Sequence, residues 1–272
     1  AHCSLYGALP TTTAGYSATY DKHQCVSPHV ALLPFLEQTT ISATFNPAED
    51  GVGDQPGSPP SSAMNGPLLQ QNISVFCCPS DRVAAGGNSY RANMGIGPAV
   101  FGGGVGGGGW ALSNGSGAFR IWYAIRLTDI IDGTSNTSLF AEKIVGDGDP
   151  AHYTPWRDCL FYKLSDLTTV AATEAACQSA IPIFPHESFG GTTWMFGGWR
   201  QTWYNHIFAP NSVTPDCAVP MGRGAQTARS FHPGGVNVVS CDGAVHFVAN
   251  GISLPIWRAL STRAHDDPGF WQ

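Results

Sequence analysis

His232 stands ten positions before the pair Asp242-Gly243, in the stretch SFHPGGVNVVSCDGAVHFVANG. A histidine and an aspartate at fixed spacing suggest proton transfer or a shared metal ion. The residues between them point elsewhere. VNVVSC and AVHFVA are β-rich runs flanking Asp-Gly, the strongest short-range signal for a two-residue type I′ hairpin. At ~3.3 Å per strand residue, the arm separates His232 from Asp242 by roughly 20 Å. The spacing therefore measures a hairpin arm, and no direct dyad is expected. Asp129, Asp132, Asp147 and Asp149, with Asn136 and Glu142 nearby in sequence, offer the oxygen ligands that Ca²⁺ prefers. The same Asp and Gly residues also build turns. Trp194, Phe196, Trp199, Trp203 and Tyr204 could stack on a sugar or fill a core or an interface. No H-E-x-x-H or G-x-S-x-G is present, and Ser135, Ser188 and Ser230 have no assignable base. His206 and His232 read as hydrogen-bonded structural residues. No catalytic residue is assigned, and the chain reads as a non-enzyme.

The bulk composition agrees. Of 272 residues, 43% are hydrophobic and only 12% charged, about half the ordinary charged fraction. Lysine occurs only at 22, 143 and 163, and the net charge is −6. That balance argues against nucleic acid as a partner, since a phosphate backbone calls for a basic stripe. Eight cysteines, none in a C-x-x-C, suggest disulfides and an oxidising compartment in a chain so poor in charge. Cys159 and Cys177 flank an expected helix and are the first candidate pair. No apolar run reaches the ~18–20 residues of a membrane span.

The elements that must position these residues can be placed. Residues 27–45 read as helix, with Ser27 as N-cap and Pro28 in the first turn, interrupted at Pro34. Residues 46–67 make a loop, 73–81 a strand ending in a turn, and 88–97 another strand. The glycine-rich 101–110 lacks a P-loop lysine and reads as a surface loop. In 125–146 a helical turn and an Asp132-Gly133 turn lead into a strand through Leu139, Ala141 and Lys143. Residues 165–180 form a helix capped by Ser165 or Asp166. Residues 192–208, rich in Trp, Tyr, Phe and Thr, read as strands. In the hairpin 236–249 a type I′ turn sets Cys241 opposite Ala244, Val239 opposite His246 and Asn237 opposite Val248. Val236, Val238, Val245, Phe247 and Ala249 then face the core. A short helix follows at 253–261.

Several of these stretches, in this order, carry a family resemblance: SPHVALLPFLEQ, FCCPSD, DIIDGTSNTSLFAEK, YNHIFAPN and SFHPGGVNVVSCDG. The chain resembles bacterial prepilin-type proteins with a C-terminal H-x9-DG motif, catalogued as domain of unknown function 1559. The resemblance implies an α+β fold: one pilin-like domain over 1–272, with an early helical region (27–45), an insertion-rich middle (97–215) and a C-terminal hairpin (236–249) followed by a short helix. Helices would pack on an antiparallel sheet, with long Gly/Pro-rich loops. His232, Pro233, Gly234, Gly235, Asp242 and Gly243 would be structural motif residues. Such proteins look exported and open with a long hydrophobic helix. AHCSLYGALP stands about where that helix ends, so membrane attachment would come only through a helix in the precursor. The expected function is an extracellular or cell-surface structural subunit, pilin- or pseudopilin-like, homo-oligomeric or part of a larger assembly, with no cofactor. The alternative is a surface binding module for glycans, through Trp194, Trp199, Trp203 and Tyr204, or for Ca²⁺, through the four aspartates.

Overall fold

A computed structural model describes residues 2–11, 14–16, 23–46, 66–81, 86–97, 115–120, 123–161, 167, 169–179, 186–218 and 224–264. The glycine-rich stretch 101–110, most of the loop 46–67 and the caps Ser165 and Asp166 lie outside them.

The fold is α+β. Its strands are β1 (Ala14–Tyr16), β2 (His23–Cys25), β3 (Tyr90–Asn93), β4 (Ser138–Glu142), β5 (Cys159–Phe161), β6 (Trp203–Tyr204), β7 (Asp216–Ala218), β8 (Gly224–Ala225), β9 (Gly235–Ser240) and β10 (Val245–Ala249). Its helices are α1 (His2–Tyr6), α2 (Pro28–Leu32), α3 (Thr39–Thr44), α4 (Gly66–Leu69), α5 (Val170–Ser179), α6 (Trp199–Thr202) and α7 (Leu254–Ala259). The main sheet has the order β10-β9-β4-β3-β6. It is antiparallel except between β3 and β6, which run parallel. The sheet is thus mixed rather than purely antiparallel. A smaller sheet, β5-β7-β8, packs with α5.

The early helical region forms as its residues dictate. Ser27 Oγ accepts the His29 amide at 3.2 Å and donates to the Trp194 carbonyl. Pro28 opens α2, and the helix tightens to a 3-10 turn at Leu33–Leu36 around Pro34, ending at Glu37 with φ 60°. The helix read at 165–180 is observed as Val170–Ser179, with Thr169 Oγ1 accepting the Ala172 amide.

Two strand expectations are corrected. Residues 73–81 form a 3-10 turn at Ser74–Phe76 and then a turn closed by Asp81 N on the Cys78 carbonyl. Phe76 there packs with Ile73, Leu68, Leu69 and Trp194 in one cluster, so apolar content marked a core plug and not a period-two pattern. Within 192–208 only Trp203–Tyr204 is strand, because Trp199–Thr202 turns helical after Gly197-Gly198.

The hairpin stands where expected with its register shifted by one. Val245 lies opposite Val239, His246 opposite Val238, and Phe247 opposite Asn237. The loop has three residues, Cys241-Asp242-Gly243, closed by Ser240 N on the Ala244 carbonyl at 2.9 Å. Gly243 takes φ +92° at its third position, the left-handed conformation that ends a three-residue loop. A one-residue slip exchanges faces. Val236, Val238 and Val248 are buried, while Val245 and Phe247 point to solvent, against the expectation for them.

The two faces of the sheet differ. On one, Val236, Val238, Val248, Ala141 and Tyr204 pack beneath Trp257 and Leu260 of the C-terminal helical segment. On the other, Leu139, Phe140, Val239 and Cys241 line an open cleft of about 580 Å³ with His2, Cys3 and Ser4 of α1.

Candidate metal centre

The open face carries the group with the strongest chemical character. Cys78, Glu142 and His232 place one donor atom each within 4.8 Å of one another. His232 Nε2 lies 3.4 Å from Cys78 Sγ and 3.1 Å from Glu142 Oε1. Cys78 and Glu142 are buried, and the His232 side chain keeps 29% of its surface in solvent.

Each donor is held by local sequence logic. Cys78 opens the Cys-Pro-Ser-Asp turn. Asp81 fastens that turn to the chain beyond β4, accepting the Val145 amide at 2.8 Å and pairing with Arg157 at 2.9 Å. Burial pushes the Cys78 thiol up, and backbone hydrogen bonds from Ser80 and Asp81 pull the other way. Glu142 ends β4 on the open side, since strand alternation gives Ala141 to the closed face. Its carboxylate accepts the Asn237 amide at 2.7 Å and the Asn237 side-chain N–H at 3.1 Å. His232 is oriented through its amide, which donates to Ser230 Oγ at 3.1 Å, while that hydroxyl donates to the Gly235 carbonyl at 2.8 Å. Arg229 N on the Glu142 carbonyl sets this segment beside β4.

A cavity of about 10 Å³ adjoins the group, lined by Cys78, Glu142, Lys143 and Arg229 among others, which is room for about one water. Behind it lies a buried ionic cluster. Asp216 receives Lys143 Nζ, the Thr227 amide at 3.0 Å and Arg229 Nη2 at 3.3 Å. Burial acts to raise the Asp216 carboxyl, but Lys143 and Arg229 hold it below the usual range. Burial brings Lys143 down to about 8 against the pull of Asp216.

The donor arrangement fits one of two chemistries better than the other. A thiol–imidazole–carboxylate relay needs the two ring nitrogens to face different partners. Here Nε2 alone faces both sulfur and carboxylate. Three donors converge on one volume, two of them buried, the arrangement in which a single cation could be shared.

The other residues singled out from sequence fall elsewhere. Asp242 Oδ1 accepts Ser240 Oγ at 2.5 Å and the Ala244 amide at 3.0 Å, sharing nothing with His232. The four aspartates do not assemble. Asp129 pairs with Arg126, Asp132 accepts Thr262 Oγ1, Asp147 accepts the Asp149 amide and Asp149 binds His152. Among the described residues, the one group of three or more metal-type donors is Cys78, Glu142 and His232. Trp194, Trp199, Trp203 and Tyr204 are all buried, so they form core and offer no stacking platform. Cys177 pairs with Cys217, at a Cα–Cα distance of 5.4 Å, and not with Cys159, a buried free thiol beneath Gln226. Flanking a helix selected the wrong partner, because α5 packs on the small sheet and sets Cys177 against β7. His206 is structural as expected, with Nδ1 on the Trp257 carbonyl at 2.7 Å and Nε2 on Tyr204 Oη at 3.0 Å.

Sequence reasoning missed Cys78 and Glu142 as partners of His232. The available signal was that FCCPSD, SLFAEK and FHPGG each contribute one donor of a different type. Among the described residues no helix is long and apolar enough to cross a membrane. The chain finds no match among curated proteins or among solved structures. The profile of a family described as protein of unknown function (DUF1559) matches residues 1–254. The chain belongs to that family.

Proposed function

We propose that the protein is an exported, non-enzymatic structural subunit, pilin-like in plan, that works at the cell surface or outside the cell by contact with further copies of itself. The observation that carries this reading is the outer edge of the main sheet. β10 is an edge strand whose open-face side chains Val245 and Phe247 are 66% and 52% exposed. The run VHFVA contains no lysine, acidic residue or proline, the usual devices that blunt an edge. Val239, directly opposite Val245, lines the apolar cleft, so edge and cleft form one surface. A second copy can pair its own β10 with this edge antiparallel, an isologous contact that joins two sheets. The Cys177–Cys217 disulfide fits an oxidising compartment, and α1 beside the sheet face fits a helix-on-sheet plan. The H-x9-DG motif, in this reading, marks the length of the arm that presents the edge.

The test is the mass of the particle in solution across a concentration series, for the native chain and for Phe247→Lys with Val245→Lys. We expect self-association of the native chain and its loss in the double variant, with thermal stability unchanged. A particle that stays monomeric at the highest concentration overturns the reading.

A further inference from the structure

From the convergence of Cys78, Glu142 and His232 we infer a binding site for a divalent d-block cation of the zinc class, with three protein ligands and a fourth position for water or an added ligand. The inference is independent of the edge contact proposed above. Zinc bonds of ~2.3 Å to sulfur and ~2.0–2.1 Å to nitrogen or oxygen imply tetrahedral edges of roughly 3.3–3.6 Å. The S–N and N–O separations of 3.4 and 3.1 Å already lie close to those edges. The donor set of thiolate, imidazole and carboxylate suits zinc and its spectroscopic substitute cobalt, and is poor for Ca²⁺ and Mg²⁺, which demand oxygen.

The surroundings have the form of an outer coordination shell. Asn237 donates twice to the Glu142 carboxylate, as outer-shell partners do when they orient a ligand. Ser230 fixes the His232 backbone. The adjoining cavity has room for one water beside Cys78 and Glu142, and His232 is open to solvent, which provides an entry path. Binding releases the Cys78 proton to solvent as the thiolate–metal bond forms, with no change of oxidation state. A bound ion would tie the Cys-Pro-Ser-Asp turn, the end of β4 and the entry to β9 to a single atom.

The test uses the full chain with its disulfide intact. Co²⁺ is titrated in while the thiolate-to-cobalt charge-transfer band is followed, and Zn²⁺ is then added as competitor. The expected result is one equivalent of cobalt, displaced by zinc. Asn237→Ala should weaken binding ~10–100-fold, the usual effect of losing an outer-shell partner, and His232→Gln should weaken it further. Cys78→Ser should abolish the charge-transfer band, while Cys77→Ser, changing the neighbouring thiol, should leave it. Should Cys78→Ser fail to fold, His232→Gln at a partly exposed position and the native spectrum still decide. Absence of a cobalt band and of zinc retained after dialysis of the native chain overturns the inference. So does affinity unchanged in both His232→Gln and Cys78→Ser.

Discussion

The two faces of the main sheet are built from the same strands and do different work. β9 sends Val236 and Val238 to the closed face, where they meet Val248, Tyr204 and Trp257. It sends Asn237 and Val239 to the open face, where one holds Glu142 and the other lines the cleft. β4 divides likewise, with Ala141 to the closed side and Phe140 and Glu142 to the open one. Alternation with period two lets one strand specify packing and chemistry together. The closed face packs under Trp257 and Leu260. On the open face Phe140 and Cys241 join the cluster of Phe119, Trp199 and Trp203, while Val239 borders the cleft and Glu142 carries the metal-type donor.

The sharpest challenge to this division is a pair of truncations. Trp257 is fully buried and stacks on His206 at 3.8 Å. Trp257→Ala should cost about 3–5 kcal/mol, the range for emptying a large aromatic site. Val239→Ala, on the open face of β9, should cost about 1 kcal/mol or less, since its methyl groups already border a cleft. Urea unfolding of both variants gives the comparison directly. Equal losses would mean that the open face is as much core as the closed one.

Acid loads both faces, through one buried histidine beside each. Burial brings His206, under Trp257, down to about 3, and brings His29 down to about 4 where it meets Phe76 and Phe140. Both are neutral when folded, and each would take a proton near pH 6.5 when unfolded. Between those values the unfolded chain binds more protons, so stability is complete above about pH 6.5 and falls as the pH drops toward 4. The loss is on the order of 3 kcal/mol per histidine at pH 4. Asp158 opposes it in part. Burial raises its carboxyl to about 6, so the folded state binds the extra proton there. His206→Gln should flatten the acid slope of the denaturation midpoint while His29 still titrates. An unchanged slope would remove His206 from the closed-face account.

The legibility of the sequence follows the same division. The Asp-Gly pair and its β-branched flanks located the hairpin, and period-two alternation placed Val236 and Val238 in the core. The register of the second arm is not legible, because a two- and a three-residue loop share the Asp-Gly signal. What separates them is the backbone at Gly243 and the carboxylate of Asp242 accepting the Ala244 amide. Trp194, Trp199, Trp203 and Tyr204 are legible as a cluster that fills core or interface, and the structure buries all four; what covers each of them is set by the fold. The position of Cys177 beside a helix points to a bridge but not to its partner Cys217, because pairing depends on how α5 docks. At the site, His232 was conspicuous and its partners were not. Cys78 lies 154 residues away in sequence, and only the fold brings a turn, a strand end and a loop to one point.

The smallest effect tests the motif itself. His232 and Asp242 bracket β9, yet their surroundings have nothing in common. Asp242 stands in solvent at the hairpin tip, its carboxyl held below the usual range by the Ser240 hydroxyl and the Ala244 amide. Asp242→Ala removes two hydrogen bonds from an exposed turn, worth about 1 kcal/mol in net stability. Gly243→Ala meets no atom within 4 Å of the added carbon, but must hold φ +92°, costing about 1 kcal/mol by strain alone. Neither change touches Cys78, Glu142 or His232, so cobalt affinity should stay at the native value in both while the urea midpoint falls slightly. A tenfold loss of cobalt affinity in Asp242→Ala would show that the two ends of β9 act as one unit. The motif would then be a coupled pair, and the separation of a shape-giving tip from a metal-binding base would fail.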